Sequence, residues 1–252
     1  MNSLGINYGE KLIFSTGNIM SINDIIKKPS QSSTQELIEA INFTLKENFK
    51  NGDSGEQHLK VISRVDDTRQ KIQENGVDAL KIGLKVFLTN DNEENLKDAL
   101  NTALSQQLDV SNVSDVIVSF KKQTTDDLDA IKKIWRHLES YVEKKVVGEI
   151  GIADVEESTF RSLYNWAKVK PNIIQINLAT CCVVPPTLQA FCKENDLKLF
   201  THSDSSDILP SQSITDIFEK PLDLQWAVRY TIHIKCRGVL ITKGYCLCFS
   251  LK

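Results

Sequence analysis

The side chains best suited to chemistry in this sequence are its six cysteines, two of which, Cys181 and Cys182, are adjacent. Adjacent cysteines do not easily bond to each other, because the small ring that they would close strains disulfide geometry. One interpretation is a redox-sensitive contact with a partner protein, and the other is a pair of small buried apolar side chains. The sequence leaves both open, since thiol reactivity depends on exposure and thiolate character.

A second group of cysteines lies near the C-terminus, at Cys236, Cys246 and Cys248. Cys236 is a further candidate for a redox-sensitive contact, whereas the alternation in Tyr245-Cys-Leu-Cys248 also suits an ordinary edge strand. None of the cysteines forms a C-x-x-C pair, and no Cys/His cluster has the spacing of a zinc site. We therefore expect no structural metal and, in a cytosolic protein, reduced thiols.

Two further ionisable side chains follow or lie on predicted strands. His202 comes after a strand candidate, but no nucleophile or metal-ligand set surrounds it in the sequence, which favours a hydrogen-bonded structural histidine. Lys85 lies on a strand candidate and would point inward in a barrel. An unpaired buried lysine is costly, so we expect Lys85 to pair with a carboxylate or a bound phosphate.

Short strand-like runs alternate with longer segments in which apolar residues recur at helical spacing. The strand candidates are 11–15, 84–88, 116–118, 146–152, 173–178, 197–200 and 239–242. The helix candidates begin at 33, 91, 128, 154 and 185, and residues 224–236 also have a helical pattern. Residues 58–80 give no clear prediction, and residues 203–213 have the composition of a polar loop.

This alternation predicts parallel βαβ units and therefore an α/β fold. With right-handed crossovers and 252 residues, the favoured architecture is one (β/α)₈ barrel of the TIM type, a single domain spanning residues 1–252. An open, doubly wound sheet is the alternative, because periodicity alone does not separate the two.

Composition excludes several classes of function. The chain has 30 basic and 33 acidic residues, a formal charge of −3 and a pI near 5.9, which argues against a dedicated nucleic-acid binder. No apolar run approaches the roughly 18 residues that a membrane-spanning helix needs. Residues 1–9 lack a basic region followed by an apolar block, so a cytoplasmic location is expected.

From Val146 onward, several motifs occur together that resemble one family closely: the regulatory (modifier) subunits of glutamate–cysteine ligase. The N-terminal part agrees more loosely, through Thr16-Gly-Asn18. That family in turn is similar to a divergent branch of the aldo-keto reductases, which are (β/α)₈ barrels. The motifs include Gly151-Ile-Ala-Asp154, Asn177-x-x-x-Cys181-Cys-x-x-Pro185-Pro, Lys235-Cys-Arg-Gly238 and Thr242-Lys-Gly-Tyr245.

The resemblance implies a regulatory protein rather than an enzyme. Members bind the catalytic subunit of glutamate–cysteine ligase as a heterodimer, raise its apparent affinity for glutamate and relieve feedback inhibition by glutathione. On this basis Cys181, Cys182 and Cys236 become candidate partner or redox contacts, and Cys181 or Cys182 is a candidate for an intersubunit disulfide. No nucleic-acid or membrane partner is implied.

The similarity to reductases also provides a test of enzyme activity. Aldo-keto reductases use Asp, Tyr, Lys and His, with tyrosine as the general acid. Lys85 matches the family lysine, but Ser119 stands where the histidine is expected, and residues 51–80 contain no tyrosine. The tetrad is therefore incomplete, and we expect no carbonyl reduction.

The cofactor site implied by the reductases is altered as well. Ala153-Asp154 replaces the Ser-Asn pair that holds the nicotinamide, while Gln175 is retained. Lys243 resembles the start of the loop that grips the NADP phosphate, and the expected C-terminal helix is truncated. No cofactor is predicted. The alternative is a residual NADP(H)-binding reductase or nucleotide sensor that uses Lys85, Gln175 and Lys243.

Overall fold

The computed structural model describes residues 7–22, 32–49, 58–121, 127–178 and 183–251. The strands are β1 Asn7–Ser15, β2 His58–Ser63, β3 Leu80–Leu88, β4 Val113–Phe120, β5 Val147–Ala153, β6 Ile173–Asn177, β7 Lys198–His202, β8 Leu222–Ile234 and β9 Val239–Leu251. The helices are α1 Ser33–Phe49, α2 Thr68–Asn75, α3 Glu93–Asn101, α4 Leu128–Glu143, α5 Glu157–Trp166, α6 Pro186–Glu194 and α7 Ser211–Phe218.

The strands form one mostly parallel sheet in the order β2-β1-β9-β8-β3-β4-β5-β6-β7. Neighbours from β3 to β7 are parallel, and so are β1 and β2. β8 and β9 are antiparallel to each other, and they pair antiparallel with β3 and β1. The predicted α/β class is confirmed, and the sheet is consistent with a (β/α)₈ barrel. Within the described residues, however, β2 and β7 remain the two ends of the ladder, so the barrel is not closed.

The helix predicted at residues 224–236 is wrong, because this segment belongs to strand β8. Its buried residues alternate at the two ends of the strand, as on a sheet with one covered face. In the middle, Trp226, Ala227 and Val228 are all fully buried, which hides the two-residue period from the sequence. Aromatic and β-branched side chains, which pack well on a pleated surface, are frequent here.

Two further predictions in the C-terminal third need correction. The last strand is longer than predicted and continues through Leu251. Helix α7, Ser211–Phe218, begins within residues 203–213, which were expected to form a polar loop. It follows Pro210, and its Ile214 and Phe218 are buried four residues apart, the spacing of one helical face.

The sheet is covered on both faces by separate apolar clusters. One face of β3, with Leu84 and Val86, packs in a cluster that includes Trp135 of α4. Phe87, which points to the opposite face of the same strand, packs in a second cluster with residues of α1 and α7. The alternation of successive side chains across a strand produces this division.

The helices are short and amphipathic. The two longest described helices, α1 and α4, have 17 and 16 residues, and both carry charged residues. A bilayer needs about 20 consecutive apolar residues. Among the residues that the structure describes, no helix is long and apolar enough to cross a membrane.

Candidate functional site

The sheet brings charged side chains from distant parts of the chain together near the carboxyl ends of its parallel strands. Lys85 lies on β3, Asp154 directly follows β5, His202 ends β7, Asp204 follows β7, and Arg229 lies on β8. We call these five residues the ionic cluster. Ligands of parallel α/β proteins bind at this end of the sheet, so the cluster is the candidate site.

Asp204 is the centre of the ionic cluster. Its Oδ2 lies 2.7 Å from Lys85 Nζ and accepts from Arg229 Nη2 at 3.0 Å, while its Oδ1 accepts from Arg229 Nη1 at 2.5 Å. The guanidinium therefore grips the carboxylate with two parallel bonds, the strongest geometry for this pair. Burial alone would raise the pKa of Asp204, but bonds from His202 and Arg229 and the charges of Arg229 and Lys85 hold the pKa far below its usual range.

Lys85 is only 4 % exposed, and burial lowers its pKa, although the adjacent Asp204 carboxylate opposes that shift. The lysine Nζ also lies 5.4 Å from the ring centroid of Phe87, and the Arg229 guanidinium lies 5.6 Å from the same ring. An aromatic face attracts both cations. The expectation that Lys85 is buried and pairs with a carboxylate is confirmed.

His202 links the ends of β5 and β7. Its Nε2 lies 2.8 Å from Asp154 Oδ1, and its Nδ1 accepts from the Asp204 backbone N–H at 3.1 Å. That bond needs an unprotonated Nδ1. The same Nδ1 lies 3.2 Å from Asp204 Oδ2, so a ring protonated on both nitrogens donates to this carboxylate and to Asp154 instead of accepting the backbone N–H. Burial lowers the pKa of His202, but the bonds to Asp154 and Asp204 outweigh burial, and the pKa is raised. The hydrogen bonding predicted for His202 is confirmed, and its structural role stays a prediction.

Asp154 and Ser119 occupy positions where the resemblance to reductases predicts a changed site. Asp154 has φ 62°, a left-handed conformation that aspartate tolerates better than most residues. This backbone turn brings its carboxylate to His202, and Ser119 Oγ donates to Asp154 Oδ2 at 3.4 Å. Ser119 thus belongs to the surroundings of the ionic cluster, but its hydroxyl lacks the titration range of a histidine.

A second ion pair, between Lys243 of β9 and Glu36 of α1, lies beside the ionic cluster. Tyr245 lies opposite Arg229 in the β8–β9 ladder, is fully buried, and donates its hydroxyl to Glu36 Oε1 at 2.8 Å. Lys243 Nζ lies 2.7 Å from the same oxygen. Burial raises the pKa of Tyr245 well above its usual range, so this tyrosine is poorly suited to exchange a proton with a ligand.

The three candidate cofactor residues do not form an open phosphate site. Lys85 and Lys243 each have a carboxylate of this chain at 2.7 Å. Gln175, on β6, accepts the Asp154 backbone N–H through its carbonyl, and its buried side-chain Oε1 has no hydrogen-bond partner within the described residues. A nucleotide phosphate that bound either lysine would have to displace Asp204 or Glu36.

The cysteines divide by environment. Cys181 and Cys182 lie outside the described residues. Cys236 is exposed and free in the turn between β8 and β9, whereas Cys246 and Cys248 are buried on β9, where burial raises both thiol pKa values to about 12. β9 lies between β1 and β8, so the Tyr245-Cys-Leu-Cys248 strand is interior rather than an edge.

Sequence reasoning missed the partners of its own candidates. The sequence offers no reason to assign a site role to Asp204, Arg229 or Glu36, because each is far along the chain from its lysine. Asp204 pairs with Lys85, Arg229 lies opposite Lys85, and Glu36 pairs with Lys243. A weak signal for Asp204 exists, since it is an acidic residue two positions after His202 in the loop that follows a strand. Among the described residues, no group of three or more His, Cys, Asp and Glu side chains could hold a metal ion.

Comparison with known proteins gives strong relatives and weak structural matches. No family model matches the chain. It is similar to the glutamate–cysteine ligase regulatory subunits of Homo sapiens, at 31 % identity, and Rattus norvegicus, at 30 %, each over 92 % of this chain and 90 % of the relative. Among solved structures, an aldo-keto reductase from a Medee basin deep-sea metagenome library has 20 % identity, a TM-score of 0.44 and coverage of 52 % of this chain and 47 % of that one. An aldo-keto reductase complexed with NADPH has 16 % identity, a TM-score of 0.39 and coverage of 68 % and 45 %.

Proposed function

The chain belongs to the family of glutamate–cysteine ligase regulatory subunits, and we propose that it is a non-catalytic subunit that binds a glutamate–cysteine ligase catalytic subunit as a heterodimer. In that complex it raises the apparent affinity of the catalytic subunit for glutamate and relieves feedback inhibition by glutathione. The observation that carries this proposal is the 31 % identity, which extends over 92 % of the chain and 90 % of the human relative.

The candidate site supports a non-catalytic role. A carbonyl reductase needs a general acid that can approach its substrate. Tyr230 and Tyr245 are both fully buried, and burial raises the pKa of each. Ser119 stands where the family histidine is expected, and Lys85, which matches the family lysine, is paired with Asp204.

The proposed regulation requires the subunit to bind one conformation of its partner better than another. Linkage then fixes a reciprocal relation: if this chain tightens glutamate binding by some factor, glutamate tightens binding of this chain by the same factor. Typical couplings of about 1–3 kcal/mol correspond to roughly 5- to 150-fold changes in affinity. An affinity effect of that size is measurable in both directions.

The test uses purified catalytic subunit with and without this chain. We expect a stable complex in size-exclusion chromatography, a lower glutamate KM and a higher glutathione concentration for half inhibition. The dissociation constant of the two subunits should fall when glutamate is added. A complex whose affinity is unchanged by glutamate would contradict the affinity mechanism, and failure to form a complex would overturn the proposed function.

We further propose a redox contribution from Cys181, Cys182 or Cys236 to this complex. Glutathione disulfide would oxidise one of these thiols to a mixed disulfide, releasing one glutathione, and a thiolate of the partner would then displace the second glutathione. Two protein thiols are thereby oxidised and one glutathione disulfide is reduced. A crosslinked species on a non-reducing gel is expected, and its persistence after Cys181→Ser with Cys182→Ser would assign it to another cysteine.

A further inference from the structure

We propose that Lys85 and Arg229 form an oxyanion-binding site whose resident anion is the chain's own Asp204 carboxylate. When that side chain is removed, a small free carboxylate such as formate or acetate binds in its place. The site lies in the interior of the chain and is independent of the proposed regulatory function.

The two cations are placed by the sheet. Lys85 and Arg229 are directly opposite each other in the antiparallel pairing of β3 with β8. Like charges in this position repel each other, and here both side chains are removed from most of the solvent, at 5 % and 16 % side-chain exposure. Two interior strands therefore hold a pair of cations that needs an anion between them.

The anion comes from a loop rather than from the sheet. Asp204 contributes both carboxylate oxygens, at 2.5–3.0 Å from three nitrogens of Lys85 and Arg229. A fork of two guanidinium bonds and one ammonium contact is also how proteins bind a free carboxylate ligand. The geometry at Asp204 is therefore that of a ligand in its site, with the ligand attached to the chain.

The loop has other anchors that do not involve this carboxylate. The Asp204 carbonyl accepts from Asn177 Nδ2 at 2.7 Å, and its N–H donates to His202 Nδ1. The next residue, Ser205, donates its N–H to Ser33 Oγ at 3.2 Å. Because these contacts use the backbone, shortening the Asp204 side chain should leave the loop in place and leave an anion-sized gap between the cations.

The charge balance gives the vacated site its ligand preference. With Asp204 gone, Lys85 and Arg229 face each other, and the nearby Asp154 carboxylate, which hydrogen-bonds His202, acts on Lys85 through its charge alone. Uncompensated buried charge is strongly destabilising, so an external oxyanion that binds here restores the stabilisation that the Asp204 carboxylate supplied. Asp204→Ala deletes a carboxyl group, which formate replaces, and Asp204→Gly deletes a carboxymethyl group, which acetate replaces.

The experiment measures the Tm of the full chain against formate concentration, with chloride at equal ionic strength as the reference. We expect the Tm of Asp204→Ala to lie below that of the native chain and to rise with the logarithm of formate concentration, as for a ligand that binds only the folded state. The native chain should show no difference between formate and chloride. Acetate should act in the same way on Asp204→Gly.

Asp207→Ala is the matched control, because Asp207 lies in the same loop and pairs with the partly exposed Lys121 at 3.2 Å. Its Tm should not respond to formate. The double variant Lys85→Met with Asp204→Ala, which removes one cation together with the anion, should lose the formate response. Equal effects of formate and chloride on Asp204→Ala would overturn the proposal, and so would an equal formate response in Asp207→Ala.

A variant that does not fold still gives an answer. Asp204→Ala is then refolded from urea in formate or in chloride, and the recovered folded protein is measured by near-ultraviolet circular dichroism. Recovery in formate alone supports the site. Equal recovery in both salts, or recovery in neither, contradicts it.

Discussion

Gly244 tests the position of the β8–β9 hairpin in the sheet. It lies on β9, opposite Tyr230 of β8. A Cβ atom added there would lie 2.2 Å from the Gly17 carbonyl oxygen and 2.2 Å from the Tyr230 hydroxyl oxygen. Both distances are more than 1 Å below the roughly 3.5 Å at which nonbonded carbon atoms attract. Gly244→Ala should therefore destabilise the chain strongly.

The loss of stability depends on how far the two contacted groups can move away from the added Cβ atom. Gly17 contributes a backbone atom, and Tyr230 is fully buried with its hydroxyl 3.0 Å from Gln107 Nε2. Overpacking a core commonly costs about 1–3 kcal/mol, and two rigid neighbours place this site at the upper end, about 3 kcal/mol. For a chain of this size, each kcal/mol lowers the Tm by roughly 2–4 °C, so a loss of about 6–12 °C is expected.

The assay is thermal unfolding of Gly244→Ala beside Gly238→Ala. Gly238 lies in the turn of the same hairpin, where an added Cβ meets nothing within 4 Å, although its φ of +63° is a left-handed conformation. That control measures backbone strain without a steric clash, which costs about 1–2 kcal/mol. If Gly244→Ala lost no more Tm than Gly238→Ala, β9 would not pack against Gly17 as described.

Three further predictions concern the ionic cluster and the thiols. The pKa of His202 is raised in the folded chain, so protonation of His202 stabilises the fold. This stabilisation is complete below the unfolded pKa of about 6.5 and is lost as pH rises through the folded pKa. The Tm difference between the native chain and His202→Gln should therefore shrink from pH 6 toward alkaline pH, and a constant or growing difference would refute the linkage. Alkylation mapped by mass spectrometry should modify exposed Cys236 in the native chain but Cys246 and Cys248 only in denaturant, and equal native rates would contradict their burial. NADPH fluorescence titration should show no saturable binding, because both candidate lysines are paired with carboxylates; a stoichiometric endpoint would favour the nucleotide-sensor alternative.

Local patterns predicted most of the elements from β3 to β7. The apolar run at 116–118 lies in β4, Val113–Phe120, and the helical spacing from 128 onward marks α4, Leu128–Glu143. These elements were predictable because buried parallel strands are continuous apolar runs and their helices are amphipathic. Residues 58–80 gave no prediction, although they contain β2 and α2, since the exposed residues of both elements weaken the periodicity.

The candidate site was predictable only in part, for a physical reason that Lys85 illustrates. The cost of burying an amine predicts that it has a counterion, but Asp204 is 119 residues away. Nothing in the local sequence specifies a pair formed across the sheet. The position of Arg229 opposite Lys85 was not predictable either, because a helical interpretation of residues 224–236 gave no reason to place Arg229 beside β3.

The strand order also explains why Lys85 is paired with an internal carboxylate. In a parallel series of βαβ units, β3 would have β2 as a neighbour, but here β8 takes that place and brings Arg229 opposite Lys85. A second buried cation beside Lys85 requires an anion, which Asp204 supplies. The hairpin that extends the sheet therefore also places a guanidinium beside Lys85, and Asp204 binds both cations. A regulatory chain built in this way would act on a partner through its surface, and this expectation agrees with the proposed non-catalytic role.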